Sequence, residues 1–138
     1  MKKLRLGIVM VAVVALVSVF SYKLNAPDKL AERFVKNHSA EVEALVEAGD
    51  PLPEEVDGKP LDAWTEGEHP MYEVTLITIS DTTYGCYYSP DDMPLPYQNT
   101  GLELVDDVRG GWSWRAEDET YGYTERIAPG WFYFDFHF

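Results

Sequence analysis

Hydrophobic and polar positions change their spacing three times along this chain, and each change marks a boundary. Three basic side chains stand among the first five positions, and residues 6–22 follow as an almost unbroken apolar run. An apolar run behind a basic N-terminus is typical of a secretory signal or a membrane anchor. We therefore assign residues 1–22 to a signal anchor or signal peptide, and predict that residues 6–22 contact the membrane.

The length of this run leaves two fates open. At 1.5 Å per residue, residues 6–22 would reach about 26 Å as a helix, against a hydrocarbon core of about 30 Å. The run is thus long for a signal peptide and short for a transmembrane helix. The basic N-terminus favours a cytoplasmic tail. We expect a single-pass protein of the cell membrane with its domain outside, and secretion after cleavage is the alternative.

Residues 23–49 carry apolar side chains at a helical spacing, with charged side chains largely off that stripe. The pattern predicts one amphipathic helix over about 27–48. Asn25 is a candidate N-terminal cap and Gly49 a candidate C-terminal cap, and the polar triplet 37–39 is a possible break. The helix is either a membrane-proximal stalk or a cover for the sheet that follows, and we favour the cover.

Residues 50–70 contain four prolines and seven acids, which predicts an acidic, proline-rich linker. From residue 71 to 138 the spacing becomes that of strands. The sequence therefore predicts an α+β fold, in which a membrane helix and one amphipathic helix precede an antiparallel sheet of about five or six strands with meander connections. The expected strands are 72–80, 82–89, 102–105, 112–116, 121–127 and 131–138.

Two details of these strands can be predicted. The apolar phase changes between Leu76 and Ile77, which indicates a β-bulge or burial on both faces. In the last strand every second residue is a phenylalanine. We expect that row to be the core face that packs on the helix; it consists of Phe132, Phe134, Phe136 and Phe138.

Charge excludes one class of function. The chain has 24 acidic and 11 basic side chains, a formal net charge of −13. Residues 37–138 hold 22 of the acids and only four bases, a net charge of −18. Nucleic-acid binding needs clustered Lys and Arg to neutralise phosphates, so a general nucleic-acid binder is excluded.

With Cys86 as its one cysteine, the chain forms no intramolecular disulfide, and we expect a buried, inert thiol.

Aromatic side chains supply the candidate ligand site. Rings stack on the apolar faces of sugars while neighbouring polar groups bind the hydroxyls. The alternative is that the aromatic side chains simply form the core, which would explain the same composition. We expect two tryptophans and two tyrosines of adjacent strands to share one face, opposite Ser113. With Arg115 they form the candidate ligand-binding set of Trp112, Trp114, Tyr121 and Tyr123.

The carboxylates of Asp91 and Asp92 are the candidate metal ligands, with calcium as the candidate cofactor. The alternative is a Ser-Pro-Asp-Asp turn in which both carboxylates bind local backbone, and we favour it. No cofactor other than calcium is expected, and we assign no catalytic residue, because no nucleophile, zinc or phosphate-loop motif occurs.

Four stretches of the chain resemble small membrane-anchored or secreted proteins, mostly of Gram-positive gut bacteria. They are Tyr-Gly-Cys-Tyr-Tyr-Ser-Pro-Asp-Asp (84–92), Gly-Trp-Ser-Trp (111–114), Glu-Arg-Ile (125–127) and the aromatic segment 131–138. The resemblance covers about 84–138. It implies a bacterial source and assigns no functional residue.

The sequence as a whole favours a non-enzymatic, membrane-anchored extracytoplasmic domain that binds or scaffolds a protein or glycan partner. A carbohydrate or cell-wall glycan binder is one alternative. A small carboxylate-dependent hydrolase is the other, because nearly every loop carries acids from which a catalytic pair could be drawn.

Overall fold

The structure, a computed structural model, describes residues 11–18, 26–49 and 51–138. Residues 11–18 are helical and their side chains are exposed. In the described ranges, no helix is both long enough and apolar enough to cross a membrane. The remainder of the predicted membrane segment, and the proposed cap Asn25, lie outside the described residues.

The predicted amphipathic helix is present as α1, Pro27–Ala48. Pro27 begins it, and its preset φ suits a first helical position whose N–H needs no partner. Gly49 ends it with φ 82°, and its N–H donates to the Val46 carbonyl over 3.2 Å. The helix is unbroken at 37–39. Its buried side chains are Ala31, Phe34, Val35 and Val42.

The α+β class with an antiparallel sheet is confirmed, but the sheet has eight described strands instead of five or six. The two additional strands form a hairpin inside 50–70, so the expectation of a linker there was wrong. Asp57 and Gly58 turn this hairpin with φ values of 51° and 70°, as a two-residue hairpin turn requires. The strands are β1 (Glu55–Val56), β2 (Lys59–Trp64), β3 (Met71–Ile79), β4 (Thr82–Tyr88), β5 (Val105–Asp106), β6 (Trp112–Arg115), β7 (Tyr121–Ala128) and β8 (Trp131–His137).

The strand order is β1-β2-β3-β4-β8-β7-β6-β5. Two four-stranded meanders therefore meet along β4 and β8, which pair over their full length from Thr82 opposite His137 to Tyr88 opposite Trp131. The expectation of a simple meander was wrong at this point, because the chain leaves β4 and returns at the far edge of the sheet. Both edge strands, β1 and β5, have only two residues. The predicted bulge in β3 is confirmed between Thr75 and Ile77.

Both faces of the sheet are covered. Helix α1 packs on the face that carries Val74, Cys86, Trp131 and Tyr133. The opposite face is covered by residues 89–104, which we call the cover loop and which contain a short 3₁₀ turn, Tyr97–Asn99. The phenylalanine row lies under this loop and faces away from the helix, contrary to the prediction; its buried members are Phe132, Phe134 and Phe136.

Candidate ligand-binding site

The strand register separates the predicted aromatic set. Trp114 pairs with Gly122 and therefore lies on the face of the cover loop. Arg115 pairs with Tyr121, and Ser113 with Tyr123, so these side chains lie on the helix face. The expectation that the tryptophans and tyrosines share one face was therefore wrong. Trp112 is half-buried, Trp114 and Tyr123 are buried, and Tyr121 is exposed.

A pocket of about 300 Å³ opens at one end of the sheet on the cover-loop face. Four rings line it, and we call it the aromatic pocket: Tyr97, Trp114, Phe136 and Phe138. Phe136 is at its centre, stacked on Tyr97 with ring centroids 4.0 Å apart and on Trp114 at 5.3 Å. Phe138 meets Phe136 edge to face at 4.5 Å and is 65% exposed. The pocket thus has an apolar floor and one ring that is open to solvent.

Gly122 makes the floor of the aromatic pocket possible. A Cβ at this position would lie 2.3 Å from Cζ2 of Trp114 and 2.7 Å from the Asp135 carbonyl oxygen. The indole of Trp114 therefore lies directly against the backbone of the neighbouring strand. Only glycine leaves room for that approach.

The rim of the aromatic pocket is polar. Thr120 donates its hydroxyl to Asp118 Oδ1 over 2.6 Å, and its N–H donates to the same oxygen over 3.2 Å. These bonds lower the pKa of the Asp118 carboxyl, which keeps it charged. On the opposite rim, the Gln98 amide donates to the Tyr97 hydroxyl over 3.2 Å. An apolar floor with a few polar groups at the rim is the usual form of a small-molecule site.

The helix face carries a second concavity, a groove of about 470 Å³ beside β5 and β6. Arg115 lies over the Tyr121 ring with its Cζ 5.2 Å from the centroid, and Arg109 lies over Tyr123 at 3.7 Å. Arg109 is already paired with Asp107, Nε to Oδ1 at 2.9 Å, and this bond lowers the pKa of that carboxyl to about 2. In the part of the chain that the structure describes, Arg115 makes no ion pair.

A carboxylate, an imidazole and a hydroxyl line up next to this groove. His137 is 3.0 Å from Asp135 Oδ1 through Nε2 and 3.0 Å from Thr82 Oγ1 through Nδ1, and its ring stacks on Tyr121. Burial raises the pKa of the Asp135 carboxyl. Thr82 is only 6% exposed, so its hydroxyl is not presented to a substrate. The arrangement therefore orients the His137 ring.

The thiol of Cys86 is fully buried, and burial raises its pKa. A histidine that could have served as a base for this thiol, His69, instead contacts Asp91, with Nδ1 2.9 Å from Oδ2. A buried, protonated thiol is a poor nucleophile, as the sequence led us to expect.

Asp91 and Asp92 point at different partners. Asp92 pairs with Arg126 Nη1 over 2.5 Å through Oδ2 and accepts the Gly130 N–H over 2.8 Å through Oδ1. The Gly130 bond is the largest cause of the lowered pKa of Asp92. Across the described ranges, no three His, Cys, Asp or Glu side chains converge as a metal site would require. Calcium binding stays a prediction.

Sequence reasoning missed Glu73. Its side chain is 1% exposed on the cover-loop face, and burial raises its pKa to about 7. The signal was present, because Glu73 shares the alternation phase of the buried Met71 in β3. A carboxyl at a core position is costly to keep ionised, and such groups concentrate at functional sites.

Comparison of the chain with protein-family models, with curated proteins and with solved structures gave no match. The functional argument therefore depends on the geometry of this chain alone.

Proposed function

We propose that this chain is a non-enzymatic extracytoplasmic binding domain, anchored to the cell membrane by residues 6–22, and that the aromatic pocket binds a carbohydrate. The observation that carries the proposal is the open 300 Å³ concavity in which stacked rings form the floor and Asp118, Thr120 and Gln98 the rim. The predicted glycan role of Trp114 is kept, now as part of the floor of this pocket.

The chemistry of the pocket matches a sugar ring better than a purely apolar ligand. Rings such as Phe138 offer a flat apolar surface to the C–H face of a pyranose. A charged carboxylate such as Asp118 accepts hydrogen bonds from sugar hydroxyls, and charge-assisted bonds are the stronger ones. An apolar ligand would leave this rim unpaired, at a cost in binding free energy.

Direct binding tests this role. Neutral and acidic cell-wall oligosaccharides are titrated into the purified domain while tryptophan fluorescence, to which Trp114 contributes, is followed. Phe138→Ala is the informative variant because the ring is exposed and its loss leaves the core intact. Ile79→Ala, which removes an exposed side chain outside the pocket, is the matched control.

We expect Phe138→Ala to weaken binding by roughly tenfold, about 1.4 kcal/mol, and Ile79→Ala to leave it unchanged. Equal affinities for wild type and Phe138→Ala, or no binding by any oligosaccharide in the set, would overturn the carbohydrate role.

The anchoring part of the proposal has its own support. Residues 11–18 form an exposed helical segment whose surface is largely apolar, with Val11 71% and Leu16 70% exposed. An apolar surface of this kind is suited to lipid.

Proteinase added to intact cells should digest the domain and leave a membrane-bound N-terminal fragment. Full protection of the domain would contradict the outward topology. Recovery of the whole domain in the medium would show the cleaved, secreted form instead.

A further inference from the structure

Glu73 lies beneath the turn that forms one wall of the aromatic pocket. The residue pairs across the sheet with Asp62 on β2 and with Tyr87 on β4, and its side chain points under the cover loop. Its carboxyl accepts a hydrogen bond from the Gln98 N–H, with 3.3 Å between the nitrogen and Oε2. The buried carboxyl therefore touches the cover loop at one backbone group of the 3₁₀ turn.

That turn is held in an unfavourable backbone conformation. Gln98 and Asn99 have φ values of 52° and 54°, in the left-handed region that few residues other than glycine and asparagine adopt, so the strain lies mainly at Gln98. Such strain persists only where surrounding contacts impose it. Asn99 supplies two of those contacts, donating its side-chain amide to the carbonyls of Trp64 and His69 over 3.2 and 2.8 Å. The Glu73 contact is the third.

The turn also carries a wall of the pocket. Tyr97, next to Gln98, stacks on Phe136 with an interplanar angle of 12°. Because Tyr97 and Gln98 are adjacent in the chain, we expect movement of Gln98 away from Glu73 to shift the Tyr97 ring and change the shape of the aromatic pocket. The state of the carboxyl and the shape of the pocket are thus mechanically connected through two adjacent residues.

Burial and one neighbouring charge favour the neutral form of Glu73. Asp62, on the neighbouring strand, repels a second negative charge. Tyr87 and Cys86 on β4 and Tyr97 on the turn are buried or half-buried groups whose own pKa values the Glu73 charge would raise. Within the described ranges, no lysine or arginine forms a hydrogen bond or an ion pair with it. The Gln98 N–H favours the ionised form, but desolvation outweighs it.

We propose that Glu73 is a proton-operated latch: its protonated carboxyl keeps the Tyr97–Asn99 turn seated on the sheet and the aromatic pocket formed, and its ionisation releases the turn. The ligand half of this inference rests on the proposed carbohydrate role, whereas the latch itself does not.

The direction of the effect follows from the raised pKa. The pKa of an exposed Glu is near 4.5 and that of the buried Glu73 is about 7. Between these pH values, Glu73 is protonated when the turn is seated and ionised when the turn is released. The seated state is therefore most favoured below pH 4.5 and loses its advantage as the pH rises to 7. A difference of this size changes the ratio of seated to released turn by at most about 300-fold.

Hydrogen exchange of the Gln98 amide measures the latch in the protein without ligand. Its protection factor, corrected for the intrinsic pH dependence of exchange, should fall as the pH is raised from about 5 to 8. Glu73→Gln replaces the carboxyl by a neutral amide of the same size, and the protection factor should then be high and independent of pH. Asp62→Asn is the control, because it removes the neighbouring charge and leaves Glu73 in place.

We expect the Asp62→Asn variant to keep the transition with a midpoint at slightly lower pH. A protection factor in wild type that does not change with pH, or the same transition in Glu73→Gln, would overturn the latch. The two proposals fail separately. A pH-dependent turn in a protein that binds no oligosaccharide rejects only the carbohydrate role, and pH-independent exchange in a protein that binds one rejects only the latch.

Discussion

The indole N–H of Trp131, on β8, donates a 2.8 Å hydrogen bond to Oε1 of Glu43, on α1. The two residues are 88 positions apart, and the tryptophan is 1% exposed. The bond gives the indole N–H of a buried ring its partner and fixes the second half of the helix against the sheet. It adds a directional contact to the apolar packing of α1 on this face.

Removing the acceptor should destabilise the fold. Glu43→Ala leaves the Trp131 N–H buried and unpaired, and we expect the free energy of unfolding to fall by about 1–3 kcal/mol. Glu43→Gln keeps an acceptor and should lose less. Urea denaturation followed by tryptophan fluorescence measures both, with Glu47→Ala, an exposed acid of the same helix, as the control. A loss in Glu47→Ala equal to that in Glu43→Ala would show that the bond is not the cause.

Gly122→Ala tests the floor of the aromatic pocket. The added methyl group would meet Trp114 and the backbone of β8, so the indole has to move. We expect a loss of about 1–3 kcal/mol in the free energy of unfolding, together with weaker ligand binding. Thermal denaturation and the oligosaccharide titration measure the two effects. Val108→Ala, which removes a fully exposed side chain outside the pocket, should change neither. Normal binding by Gly122→Ala would contradict the assigned floor.

The buried Glu73 makes stability depend on pH. The unfolded chain releases this proton near pH 4.5 and the folded chain only near 7, so the stability present below 4.5 is lost as the pH rises through 7. We expect wild type to lose at most about 3 kcal/mol relative to Glu73→Gln over that range. Urea denaturation at a series of pH values measures the difference. Parallel curves for the two proteins would show that burial does not perturb this carboxyl.

Thermal stability tests whether the Asp91–Asp92 turn binds calcium or is purely structural. Because Asp92 already binds Arg126 and Gly130, we expect the melting temperature to be the same in excess calcium and in chelator. Asp92→Asn should lower it, because the ion pair with Arg126 is lost. Differential scanning fluorimetry measures both. Stabilisation by calcium in wild type that disappears in Asp92→Asn would establish the site.

The sequence predicted local structure well where two independent signals agreed. Helix α1 was located at 27–48 because a proline and a glycine bracket the 3.6-residue pattern. The β1–β2 hairpin was missed because four prolines outweighed one Asp-Gly pair. Yet Pro60, which lacks an N–H, lies within β2 next to the short edge strand β1. Proline is tolerated close to a sheet edge, so composition alone was a poor guide.

The candidate site was predictable only in part, because the sequence does not show how neighbouring strands are aligned with each other. Alternation assigns the faces within one strand, but the relative phase of two strands depends on the turn between them. The turn at 116–120 places Trp114 opposite Gly122, which sends Tyr121 and Tyr123 to the other face. The remaining pocket wall, Tyr97, comes from the cover loop, and no local pattern shows where a loop docks.

The joint between β4 and β8 has a consequence for self-association. It is the strand pairing that holds the two meanders together, and the 16 residues of the cover loop connect the two halves. If that loop swings outward, β8 of one molecule can pair with β4 of a second molecule in the same seven-residue register. Each subunit of such an exchanged dimer would recover the contacts of the monomer, with no new interface required. A high local concentration of the protein favours that exchange, and a cover loop seated on the sheet opposes it.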